Sequence, residues 1–266
     1  MAGERRPFFV YLLVLSGAGV LYQSPALAPT GLGLSLFVPA LFNLALRGVS
    51  LPAVLFGTAV VEVLLALLNP QVALDVGYFP FLGLLFYLFK ERPAAAVLSG
   101  AALLFGGSLI EELLFGLPKE VTQFKEFMAL RLGIYAYTAL LVSVAAYGLT
   151  LLLERRGELF FKLKFGFWTA VFFIISAAAS LLLKGSAKVV SENFLIASLG
   201  FLTAQGIPVF FHFVRRFSPL MKLIIFFAVL IFPLGFLATA LVLGLLDNWF
   251  DFRKLKGGEE DGSNPA

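Results

Sequence analysis

The chain has 266 residues, 60% of them hydrophobic and only 14% charged, with a mean hydropathy of +0.97 and a formal net charge of +4. A water-soluble domain carries about a quarter charged residues and cannot hide this much apolar surface, so soluble classes are excluded. With no cysteine and a single histidine, disulfides, thiolate sites and cysteine nucleophiles are excluded, and no metal or other cofactor is expected.

Along the chain, Arg5-Arg6, the apolar stretch 8–22 and Ala26-Leu27-Ala28 imitate a secretory signal with its cleavage site. Pro29 directly after it disfavours cleavage, so an uncleaved first helix is expected. Further apolar segments follow at 31–46, 52–68, 78–89, 93–117, 132–153, 165–183, 193–214 and 223–246. A span needs about 20 helical residues, which leaves the second and fourth segments short. The expected fold is an all-α polytopic transmembrane helix bundle of eight or nine spans.

Pro52 and Pro93 suit a first helical turn, while Asn69-Pro70 and Leu117-Pro118 read as stops. Pro233 with Gly235 kinks the last segment or, in the alternative, divides it into two half-length helices. The transmembrane domain is expected to cover 1–256, followed by a polar, disordered tail at 257–266. With a cytoplasmic N-terminus, twelve Lys and Arg before the tail fall on inside loops and five on outside loops, which supports that orientation. Nine spans place Arg253, Lys254 and Lys256 outside, against the same rule.

Glu62, in Val-Val-Glu-Val-Leu-Leu, lies near the middle of the third span, where a carboxylate costs about 2.5–3.5 kcal/mol unless protonated, paired or facing water. It reads as a ligand or proton site lined also by Thr58, or as a carboxyl hydrogen-bonded between helices. Asn43 and Gln205 fall at comparable depth and join Glu62 as the expected solute-binding residues, with helix packing as the other reading of Gln205 and of Asn193. His212 near Arg215 and Arg216 reads as a polar group at the inner interface. Glu111-Glu112 resembles the Glu-Glu-x-x-x-Arg motif of the intramembrane CAAX-processing proteases, but Gly116 stands at the arginine position and those enzymes need several histidines. No catalytic residue is expected. There is no G-x-x-x-x-G-K-[ST] and no basic run interleaved with aromatics, so neither nucleotide nor nucleic-acid binding is expected. Thirty-one Phe dominate the aromatics, and the two Trp lie near span ends as an interfacial belt.

Glu192-Asn193-Phe194-Leu195, Gln205-Gly206, Phe210-Phe211-His212, Phe232-Pro233-Leu234 and the closing Gly-x-x-Asp-x-x-Phe-Asp-x-Arg-Lys, which ends at Lys254, resemble the YybS-like family of bacterial membrane proteins. The resemblance implies a multi-pass protein of the bacterial cytoplasmic membrane. Its N-terminal helices, about 8–154 here, are similar in pattern to the S components of energy-coupling-factor transporters, with additional helices over about 160–250. Asp247 and Asp251, one turn apart, with Arg253 and Lys254 read as a helix anchor or a partner-docking motif.

Three functions of different classes follow. The first is a small-solute binding or transport component, resting on Asn43, Glu62 and Gln205. The second is a non-catalytic scaffold or partner of envelope proteins. The third, an intramembrane hydrolase using Glu111 and Glu112, lacks its histidines. The partners these readings admit are the lipid bilayer, another membrane protein, or a separate motor subunit.

Overall fold

The computed structural model describes residues 5–117 and 122–253. Within them the chain forms twelve α-helices and no strand. Lys254, Lys256, Pro118 and the tail 257–266 lie outside the described residues.

The helices are α1 (Arg6–Tyr22), α2 (Ala28–Ser35), α3 (Val38–Ala45), α4 (Leu51–Leu68), α5 (Pro70–Leu88), α6 (Pro93–Phe115), α7 (Lys125–Leu153), α8 (Gly157–Phe161), α9 (Trp168–Leu182), α10 (Gly185–Val214), α11 (Pro219–Ile231) and α12 (Pro233–Phe250). Eight of them, α1 to α6 with α11 and α12, carry proline in the first turn. An N–H is unpaired there in any case, and the fixed φ of proline already suits the helix. Asn69 ends α4 and caps α5, its Oδ1 accepting from the N–H groups of Gln71 and Val72 at 3.1 and 3.4 Å. At the far end of α7, Arg155 takes the left-handed conformation, and the Arg156 N–H closes on the Leu151 carbonyl at 2.8 Å.

Among the described residues seven stretches are long and apolar enough to cross a membrane: 28–45, 51–68, 70–88, 93–115, 125–153, 185–214 and 233–250. That is fewer than the eight or nine expected, for local reasons. The first apolar segment forms a helix of 17 residues and the seventh one of 15. The last segment breaks at Phe232, whose φ of −123° and ψ of 60° leave the helical region, giving pieces of 13 and 18 residues. The fourth segment is longer than expected, because α5 starts at Pro70; Gln71 and Asp75 interrupt its hydropathy without interrupting its helix. The 28–45 stretch is two helices in near continuation, since Pro39 has no N–H to return to Ser35, and the Ser35 hydroxyl instead donates to the Gly31 carbonyl at 3.0 Å.

The helices sort into two compact units. The first comprises Met1–Met128 and Val142–Gly157, the second Ala129–Leu141 and Glu158–Ala266. In the first, α1 packs on α2, α3, α4 and α5, and α5 also packs on α3, α4 and α6. Tyr11, Leu15, Phe42, Leu82, Phe86, Tyr147 and Leu151 are among its large, fully buried side chains. Because α1 supplies Tyr11 and Leu15, it is part of this core. At one rim, Glu154 lies among Arg47, Arg156 and Lys90; burial pushes its carboxyl above the ordinary range while those cations pull it back. Arg156 also pairs with Glu91 at 2.5 Å.

In the second unit α10 packs on α9 and, most closely, on α12. Its centre, Leu202 to Val209, is buried at every position. Outward-facing apolar side chains surround both units, among them Leu67, Leu113, Leu181 and Leu234, each more than three-quarters exposed. Lipid solvates such a surface without cost, so the protein is an integral, multi-pass membrane protein.

Candidate functional site

Glu62 lies on α4 about 9 Å, six residues, before the helix ends at Leu68. Gly77 on α5 is its neighbour: a methyl group on that glycine would stand 3.3 Å from Glu62 Oε2. Glu62 Oε1 is buried and has no hydrogen-bond partner among the described residues. Thr58, one turn earlier, is committed elsewhere. Its Oγ1 lies 2.5 Å from the Tyr11 hydroxyl and donates to the Val54 carbonyl at 2.9 Å, so it ties α4 to α1.

A second acidic position lies close by in the chain and was not singled out in the sequence. Asp75, half-buried on α5, has its carboxyl close enough to feel the charge of Glu111 on α6. Glu111 Oε1 accepts from Gln71 Nε2 at 3.0 Å. Gln71, Asp75 and Tyr78 are spaced four and three residues apart, which puts them on one face of α5. Tyr78 donates its hydroxyl to the Gly107 carbonyl of α6 at 3.2 Å, fixing the two helices against each other. Tyr22, at the end of α1, is close enough for its hydroxyl to feel both Asp75 and Glu111. Glu62 on α4, Asp75 on α5 and Glu111 on α6 thus bring carboxyls of three successive helices into the first unit, and none of these three makes an ion pair among the described residues.

The signal for Asp75 was available. An Asp inside an apolar helix whose cap is Asn69 is as costly as Glu62, but Asp75 precedes the apolar segment at 78–89.

Asn43 is 4% exposed on α3 in the same unit, and its Oδ1 has no partner among the described residues. Gln205 belongs to the second unit and is fully buried. Its Oε1 accepts from the Phe165 N–H at 3.1 Å, and its Nε2 faces the Gly244 carbonyl and Asn248 Oδ1, each at 3.4 Å. The three residues read as solute ligands therefore divide between the units, Asn43 and Glu62 in one and Gln205 in the other.

The closing motif is an internal clamp. Arg253 Nη2 and Asp247 Oδ2 pair at 2.5 Å with both side chains at most 1% exposed. Arg253 Nη1 donates to the carbonyls of Leu163 at 2.6 Å and Phe161 at 3.0 Å. Asp251 takes the left-handed conformation that ends α12 and pairs with Lys164 at 3.0 Å. Together these contacts fasten the segment from α8 to α9 to the end of α12.

Comparison with family models, curated proteins and solved structures finds no match for this chain. Function is therefore argued from the side chains alone. Among the described residues no group of three His, Asp or Glu side chains is placed to hold a metal ion. His212 contacts Arg216 through Nε2 at 3.2 Å and sets its ring edge-on to Phe161.

Asn193 is a packing residue. Its Oδ1 accepts from the Gly133 N–H at 2.7 Å, and its Nδ2 donates to the carbonyls of Ala129 and Val189 at 2.8 and 2.9 Å. One carboxamide thus bridges a donor and an acceptor one turn apart on α7. Asn193→Ala is expected to cost about 1–3 kcal/mol, read as a lower unfolding midpoint in detergent. An unchanged midpoint would mean that lipid or water replaces the bridge at no cost.

Proposed function

We propose that the chain is a non-catalytic, small-solute binding or transport component of a bacterial cytoplasmic membrane, and that its first unit takes a small cationic solute. The observation that supports this reading is the set of three carboxyls, Glu62, Asp75 and Glu111, carried by successive apolar helices without a counter-charge among the described residues. Carboxyls inside a membrane mark ion, proton or substrate paths unless pairing neutralises them. The Gln71 amide, the Tyr78 and Tyr22 hydroxyls and the unpartnered Asn43 Oδ1 add the neutral polar groups by which such sites orient a ligand.

Catalysis forms no part of the reading. Glu111 is engaged by the Gln71 amide, not by the arginine and histidines an intramembrane hydrolase uses.

The test is native mass spectrometry of the protein gently extracted from its own membrane. A bound small cation is expected on the wild type, with occupancy at least about tenfold lower in Glu62→Gln and in the Asp75→Asn, Glu111→Gln double variant, the loss of about one charge-assisted contact. A small molecule retained equally by all three proteins, or none on any of them, would overturn the reading. A co-purifying protein in place of the small molecule would favour the scaffold.

A further inference from the structure

The second unit carries an uneven charge where α10 ends and α11 begins. Residues 157–165 and 212–222 contain five basic side chains, Lys162, Lys164, Arg215, Arg216 and Lys222, against one acidic, Glu158. Two of the five are neutralised, Lys164 by Asp251 at 3.0 Å and Arg215 by Glu158 at 2.8 Å. Lys162, Arg216 and Lys222 are exposed and have no carboxylate partner among the described residues.

These groups are held in one place. Arg215 reaches Glu158 of α8 and lies over the Phe161 ring at 5.5 Å, and Lys162 is the next residue. Arg216 rests on His212, whose ring meets Phe161 edge-on at 5.8 Å between centroids. Two residues after Arg216, Ser218 caps α11 by accepting from the Met221 N–H. The first turn of α11, which carries Lys222, adds the positive end of a helix dipole.

The rest of α11 is apolar all round. None of its 13 residues is buried, and Leu220, Leu223, Ile224, Phe226, Phe227 and Leu230 are each more than half exposed. At about 20 Å it is shorter than the ~30 Å hydrocarbon layer. Ala228 is its single small side chain, so it lacks the small-residue stripe by which membrane helices approach one another. Acyl chains cover such a surface better than a partner helix does.

We infer that the junction of α10 and α11 binds an anionic phospholipid, its phosphate taken by Lys162, Arg216 and Lys222 and its acyl chains lying along α11. This site is separate from the carboxyls of the first unit and does not depend on the solute reading.

Lipid titration of the delipidated protein in detergent, followed by native mass spectrometry, tests it. Phosphatidylglycerol is expected to bind at least about tenfold more tightly than phosphatidylcholine, a preference that shrinks as salt is raised. Each basic group near an anionic headgroup is worth a factor of about five. The Lys162→Gln, Arg216→Gln, Lys222→Gln variant should therefore lose the preference, while Lys162→Arg, Lys222→Arg keeps it. If the triple variant does not fold, Lys222→Gln alone should lower the preference about fivefold. Equal binding of the two lipids, or a preference that survives the glutamine substitutions, would overturn the proposal. Displacement of phosphatidylglycerol by millimolar inorganic phosphate would likewise overturn it, making this a free-anion site.

Discussion

A single methyl group at position 206 is expected to unseat the last helix from the second unit. Gly206 on α10 faces Ala240 and Gly244 on α12, and a Cβ built on it would overlap the Ala240 carbonyl oxygen. The clash is reciprocal, since a Cβ on Gly244 would overlap the Leu202 carbonyl oxygen. The obstacle in both cases is backbone, which has no rotamer to move away, so the helices must separate along their whole crossing. Overpacking a core by one or two carbons costs about 1–3 kcal/mol where side chains can give, and Gly206→Ala and Gly244→Ala should each lie at or above the top of that range. Thermal unfolding in detergent and recovery of monodisperse protein read the effect. Gly235→Ala is the control: its nearest foreign atom would be Phe232 Cβ at 3.9 Å, so it should be neutral or raise the midpoint slightly by helix propensity. Equal behaviour of Gly235→Ala and Gly206→Ala would mean that α10 and α12 do not cross at these glycines.

The same contact explains which features were legible in the sequence. Class and most helix positions followed from hydropathy, and Pro52 and Pro93 marked helix starts because the missing N–H and fixed φ of proline are local properties. Helix lengths were less legible. α5 and α10 extend eight residues beyond their apolar segments at the N-terminal end, because a capped or packed helix tolerates Gln71, Asp75, Lys188 and Glu192. The division at Phe232 is the alternative that Pro233 offers, since proline disfavours the helical region for the residue before it. Among the candidate residues, the cost of a carboxyl in an apolar helix identified Glu62 and, applied to Asp75, would have identified that residue too. What it could not supply is the partner. Nothing in the spacing of Asp75 and Glu111, thirty-six positions apart, shows that α5 and α6 bring them together. The closing motif behaved differently. Asp247 and Asp251 were read correctly as one turn apart, but the targets of Arg253 are backbone carbonyls about ninety residues earlier, at Phe161 and Leu163. Carbonyl acceptors leave no residue-type signature. Gly206 and Gly244 serve the packing of α10 on α12, while Gln205 and Asp247 help to hold the segment from α8 to α9 through the Phe165 N–H and Arg253.

Arg253→Met is expected to loosen the second unit by about 3–5 kcal/mol, the cost of removing one partner from a buried ion pair. The substitution leaves three acceptors without their donor: the Asp247 carboxylate and the Phe161 and Leu163 carbonyls. Asp247→Leu should cost less, because the guanidinium keeps both carbonyls. Combining the two should be less damaging than the sum, since the second change removes the charge that the first left uncompensated, a coupling of about 1–3 kcal/mol in a double-mutant cycle. By comparison, the more exposed Arg215–Glu158 pair should contribute at most about 1 kcal/mol and weaken with salt. The measurements are unfolding midpoints of the four proteins in one detergent, at low and high salt. An Arg253→Met midpoint matching wild type would mean that the buried pair does not form, and the segment from α8 to α9 would then be held by Lys164, Gln205 and its other contacts. A double variant as unstable as Arg253→Met would instead assign the whole effect to the two carbonyls, with Asp247 serving to orient the guanidinium toward them.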